Sequence, residues 1–218
     1  ELYDYYTRMI KSCDREIEKH YACFPARVSP EEKPLLPLKR KHRLPAKNEP
    51  DFDVRTQLYR VCGVDLTRID GCKALTIQTL ISEIGVDMSK WKTAKPFASW
   101  LCLCPDNDIS GGKVLRTRTR KTKSRANKAL RMAAQSLHHS DSALGAYYRR
   151  MRAKLGAPKA ITAAAHKLSR IIYTMLNEQK EYVDLGADYY EIKYREREIK
   201  KLSQKAARLG SQVMPLAA

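Results

Sequence analysis

Apolar residues recur along most of this chain at steps of three, four and seven, the spacing that lines one face of an α-helix. Over residues 1–24, Leu2, Tyr6, Met9, Cys13, Ile17 and Phe24 keep that period, while Asp14, Arg15, Glu18 and Lys19 take the other side. This predicts one amphipathic helix. Two or three heptads leave open whether its stripe packs on its own domain or pairs as a coiled coil. Residues 66–85 read as helix, tight turn at Asp70-Gly71, and a second helix closed by Gly85. Phe97, Trp100, Leu101 and Cys104 stand at i, i+3, i+4 and i+7 in a core helix that Pro96 opens and Pro105 stops. Residues 123–139 then place Ala126, Ala129, Leu130, Ala133 and Leu137 on one helical face, and residues 142–155 do the same with Leu144, Tyr148, Met151 and Leu155. Pro158 opens a long helix with Ile161, Ala165, Leu168, Ile172 and Met175 in register. The alanine-rich faces predict close helix packing. A last helix over residues 188–209 mixes acids and bases in the manner of a solvated surface helix. No period-two alternation runs long enough to demand a sheet, so the predicted fold is mainly α.

Residues 25–53 break this pattern. Prolines at 25, 30, 34, 37, 45 and 50 and the cluster Lys39, Arg40, Lys41, His42, Arg43 describe a semi-extended basic linker able to lie on phosphates. The expected organisation is a stem helix (1–24), a Pro-rich linker (25–53) and a compact helical domain (54–218).

Composition narrows the class. An apolar fraction of 43% in 218 residues supports a real core, and a formal charge of +18 points to a polyanion, nucleic acid being the commonest. No apolar run approaches the roughly 18 residues of a membrane-spanning helix, which argues against a membrane partner. The cysteines at 13, 23, 62, 72, 102 and 104 lack paired Cys-x-x-Cys spacing and read as reduced, mostly core-filling thiols of a cytoplasmic protein. Cys102 and Cys104, one residue apart, make a poor metal site. No metal ligand set is predicted. Opening at Glu1 without a methionine, the chain is expected to be a fragment.

The candidate chemistry centres on Ser110-Gly111-Gly112-Lys113. Two glycines free the backbone and clear room for a phosphate. Lys113, Arg116, Arg118, Arg120, Lys121, Lys123 and Arg125 follow as cations to neutralise it. A serine hydroxyl is a weak nucleophile without a base or metal. Asp106 and Asp108 are the nearest carboxylates, and both read equally as turn formers. Tyr147 and Tyr148, with His138, His139, Arg149 and Arg150, form a rival tyrosine-nucleophile set, but Tyr148 falls on an apolar stripe. The turn at Gly71, with Lys73 at the following helix N-terminus, resembles a helix-hairpin-helix that would hold DNA backbone through its amides. Cys72 stands where that motif usually has a second glycine.

The order of these features is more specific than any one of them. A Leu-x-x-Ile-Asp-Gly hairpin precedes Phe-x-x-Trp-Leu-x-Leu-x-Pro and Ser-Gly-Gly-Lys. Arg-Ala-Asn-Lys-Ala-Leu-Arg-Met-Ala-Ala and Ala-His-Lys-Leu-Ser-Arg-Ile-Ile-Tyr-Thr-Met-Leu come next. This resembles the C-terminal transposase domain of the insertion-sequence 110 (110/116/902) family, over roughly residues 54–209, with the leading helix similar to that family's coiled-coil stem. The resemblance implies a DNA transposase guided by a structured noncoding RNA, working as a dimer or tetramer in the prokaryotic cytoplasm at the nucleoid. It implies that Ser110 attacks DNA to form a 5′-phosphoserine link, with Gly111, Gly112 and Lys113 shaping the loop around the phosphate. It also implies a RuvC-like domain with four acidic residues binding Mg2+. That domain is absent from these residues, so the fragment is expected to be inactive alone. A non-catalytic helical module that binds nucleic acid through its hairpin and basic loop is the alternative. A coiled-coil assembly protein with incidental charge is a third reading.

Overall fold

The computed structural model describes residues 1–37 and 49–214, so the linker's basic cluster at 39–43 lies outside the described residues. Eight helices and one β-hairpin make up the described chain. Helix α1 spans Leu2–Cys23, α2 Val54–Cys62, α3 Ala74–Ile84 and α4 Ala94–Trp100. Strands β1 (Pro105–Ser110) and β2 (Lys113–Thr119) interrupt the series. Then come α5 (Arg125–Ser136), α6 (Ala143–Leu155), α7 (Ala157–Glu178) and α8 (Gly186–Arg208). The mainly α expectation holds, with the hairpin as its exception.

Helix α7 is the centre of the body, packed against α4, α5 and α6. Ala160, Ala164, Ala165, Leu168, Ile172 and Leu176 form its buried stripe. Ala126, Ala133 and Ala134 of α5 are buried as well. Alanines on facing helices remove side-chain bulk and let the backbones approach. Phe97 and Leu101 seal the α4 end, where the Phe97 ring lies 5.7 Å from that of Tyr173.

Local signals set the element ends. Asp53 accepts from the Thr56 amide at 3.1 Å to start α2, and Gly63 ends it with φ +81. Ser124 accepts from the Asn127 amide to start α5, and Ser142 from the Gly145 amide to start α6. Each cap satisfies an amide that the first helical turn leaves unpaired. The first arm of the expected helix-turn-helix at 66–85 is only a 3-10 turn, Leu66–Arg68. Asp65 caps it and holds an ion pair with Arg55, and the chain then turns at Gly71 into α3.

Helix α1 is buried only near its C-terminal end, with surface contacts from Asp51 to Lys11 and Asp14 along its middle. Tyr21 is its one buried residue, and Arg60 of α2 donates to the carbonyls of Tyr21 and Phe24. Leu2, Tyr6, Met9 and Ile17 of its predicted stripe are all exposed. The acid–base helix α8 behaves as its composition predicts. Tyr190 is its buried contact, and Lys193–Glu196 and Lys201–Glu198 pair along its surface.

Candidate functional site

Ser110 ends β1 and Lys113 begins β2, so the Ser-Gly-Gly segment is a hairpin tip, not an irregular loop. Gly111 and Gly112 have φ of +55 and +73. A two-residue loop with both central residues left-handed is the type I′ turn, whose twist matches the flanking strands and which glycine adopts without penalty. A Cβ added at either glycine would meet nothing within 4 Å, so the tip is open on all sides.

The register gives the hairpin two chemically different faces. Asp106 pairs with Arg118, Asp108 with Arg116 and Ser110 with Lys113. Residues directly opposite in an antiparallel pair share a face. One face is therefore a ladder of acid–base pairs that ends in a serine with a lysine across from it. The other carries Pro105, Asn107 and Ile109 against Thr119, Thr117 and Val114. Between Asp108 and Ile109 the register slips, leaving Leu115 unpaired. A bulge of this kind bends a ribbon and increases its twist. Every residue of both strands is exposed except Thr119, so the ribbon stands clear of the helical core.

The predicted cations divide by partner. Arg116 donates from Nε to Asp108 Oδ2 at 2.8 Å. Asp106 and Asp108 are thus strand residues facing arginines and not turn formers. Arg125 reaches Glu83 at 3.9 Å, and Arg120 donates to the Ser99 carbonyl oxygen at 2.6 Å. Lys113, Lys121 and Lys123 are exposed. The predicted residues from 110 to 125 therefore lie along one ribbon and its root. Gly71 and Lys73 belong to another part of the body. A Cβ on Gly71 would stand 2.5 Å from the Ala133 carbonyl oxygen, so this glycine is packed against α5. Lys73 is exposed at the start of α3, which has no side-chain cap. Cys72 is buried, and burial pushes its thiol up to about 12. A side chain sunk in the core takes no part in a surface phosphate contact.

The tyrosine alternative does not assemble. Tyr148 is buried in the core, and the Lys167 ammonium lies 4.3 Å from the centre of the Tyr147 ring. Arg149 donates to the carbonyls of His138 and Ser140. Burial, and then the nearby Arg152, pull the His138 pKa below the usual imidazole range. These side chains hold the junction between α5 and α6 together.

Among the described residues, no group of three His, Cys, Asp or Glu stands close enough to hold a metal ion. The two carboxylates nearest Ser110 in sequence face arginines. The described residues therefore do not fit a divalent ion. Among the described residues, no helix is long and apolar enough to cross a membrane.

Residues 64–149 match the family model described as Transposase IS116/IS110/IS902 family. No curated protein and no solved structure matches significantly. The match contains the turn at Gly71, the whole hairpin and helix α5, and it bears out the resemblance read from the order of motifs.

Proposed function

From the premise that residues 64–149 are a transposase segment of the IS116/IS110/IS902 family, we propose that Ser110 is the nucleophile that breaks a DNA strand. A transposase acts on DNA, so DNA is the partner the match implies. The observation that carries the reading is the position of Ser110: at the open tip of an exposed ribbon, inside the matched segment, with Lys113 directly opposite. As the Oγ–P bond forms, the P–O3′ bond breaks, and the hydroxyl proton passes through water to the departing O3′. DNA is left joined to the protein as a 5′-phosphoserine with a free 3′-hydroxyl. Lys113 supplies positive charge next to the phosphoryl oxygens, where charge builds in the transition state. Among the described residues, the carboxylates nearest Ser110 in sequence face Arg116 and Arg118, so neither is set against Ser110 as a base.

The finer parts of the reading rest on other supports. A charge of +18 suits contact with a guide RNA as well as DNA. The uncovered stripe of α1 suits a stem that pairs two or more copies. Residues 1–24, 25–53 and 54–218 are then stem, linker and serine-bearing domain. Replacing Ser110 with Ala in the transposase that carries this domain, and probing for a covalent protein–DNA adduct, tests the nucleophile. Loss of the adduct with DNA binding intact is the expected result, and an undiminished adduct overturns it.

A further inference from the structure

At the root of the hairpin, where β2 hands over to α5, lies an open cleft of about 310 Å³. Arg120, Lys121, Lys128 and Arg131 line it, with Asn127 and Cys102 beside them, and no carboxylate does. Its arginines are held by neutral groups. The Arg120 guanidinium donates to the Ser99 carbonyl oxygen at 2.6 Å and to the Ser99 hydroxyl at 3.1 Å. Arg131 donates to the Thr162 hydroxyl at 3.0 Å. Asn127 is anchored through its Nδ2, which donates to the Leu101 carbonyl oxygen at 2.7 Å. Arg55, Arg116 and Arg150 by contrast sit on the acids Asp65, Asp108 and Glu191, while Arg60 and Arg149, like the cleft arginines, are held by carbonyl oxygens. Neutral acceptors fix a guanidinium in place and leave its charge unspent. Four cations around one cleft repel each other, and an anion bound between them relieves that repulsion.

We propose that this cleft grips a backbone phosphate of the DNA strand that Ser110 attacks, acting as a second anchor set back from the tip. The proposal rests on the reading of Ser110 as nucleophile. β2 has seven residues, and at roughly 3.4 Å per residue its root lies about 20 Å from the tip. Phosphates of one strand rise about 3.4 Å each along the duplex axis and also wind around it, so the gripped phosphate lies within about six nucleotides of the one attacked. Lys128 and Arg131 are one helical turn apart on α5, which keeps both on the side facing the ribbon's end.

The first arm measures binding of this chain to a labelled DNA duplex between about 50 and 200 mM salt. Lys128 is exposed, so Lys128→Gln does not endanger folding. Losing one phosphate contact lowers the slope of log affinity against log salt by about 0.9. Lys200→Gln, the same charge change on exposed α8, is expected to leave the slope unchanged. Equal slopes for the two variants overturn the proposal in favour of diffuse attraction. An effect of Lys128→Gln on single-stranded RNA but not on duplex DNA overturns the assignment to the attacked strand. This arm needs no cleavage, so it can fail while Ser110 stands, or stand while Ser110 fails. The second arm scans single methylphosphonates along the cleavage substrate of the transposase carrying this domain. Neutralising one phosphate within about six nucleotides of the break is expected to weaken binding and to remove the further effect of Lys128→Gln. Coupling at a different position, or at none, overturns the placement.

Discussion

Two glycine turns in this protein have similar positive φ angles and opposite surroundings. Gly71 has φ of +85 and Gly112 +73, so each occupies the left-handed region that other residues avoid. Beside Gly71, the Ala133 carbonyl oxygen lies 2.5 Å from where a Cβ would be, while around Gly112 nothing lies within 4 Å. Both turns read in sequence as places for a phosphate. One is a packing joint between the α3 turn and α5, and the other is an open tip. A glycine's torsion angle tells why glycine is there, and its neighbours tell what the turn is for.

The sharpest way to break this comparison is Gly71→Ala. Left-handed strain and overlap with backbone that cannot move aside add to about 3 kcal/mol of lost stability. Chemical denaturation measures it, and a loss below about 0.5 kcal/mol, the range of ordinary surface substitutions, would make Gly71 equivalent to the tip glycines. Ser124→Ala tests the boundary between ribbon and body. It removes the acceptor of the Asn127 amide at the start of α5, at a cost of about 1 kcal/mol. The smallest global effect belongs to Gly112→Ala. Strain of about 1–2 kcal/mol falls on the hairpin alone. The ribbon buries no side chain in the core, so the main unfolding transition should stay in place while the hairpin amides lose protection from hydrogen exchange. A matching drop in the main transition would show that the ribbon folds as part of the body.

The same contrast explains what was legible beforehand. Leu130, Leu168 and Ile172 are fully buried, each on a helix whose apolar period announces it. The ribbon gave no such sign. Period-two alternation marks a strand with one face in a core, and both faces here meet solvent, so the second face mixes Asn107, Thr117 and Thr119 with Pro105, Ile109 and Val114. Gly111-Gly112 between two short runs was the available hairpin signal. A full helix is expected where the 3-10 turn Leu66–Arg68 stands for a related reason: Leu66 and Ile69 are buried at helical spacing, and one short turn satisfies that spacing as well as a longer helix would.

The alanine stripes, the basic character and the order of motifs that the family match bears out over residues 64–149 were all determined by the sequence itself. They depend on contacts between near neighbours in the chain, or on composition, and periodicity records both. Which cations remain available was decided only by tertiary structure. Arg116 and Arg120 are four residues apart in one basic run, yet the first sits on Asp108 and the second on the neutral oxygens of Ser99. Charge pairing depends on what the fold places across a few ångströms, and for these two side chains the partners are 8 and 21 residues away. Ser110 was visible as a serine between an isoleucine and two glycines. That it stands at an open tip, facing a lysine and set on a ribbon with a basic cleft at its root, needed the fold.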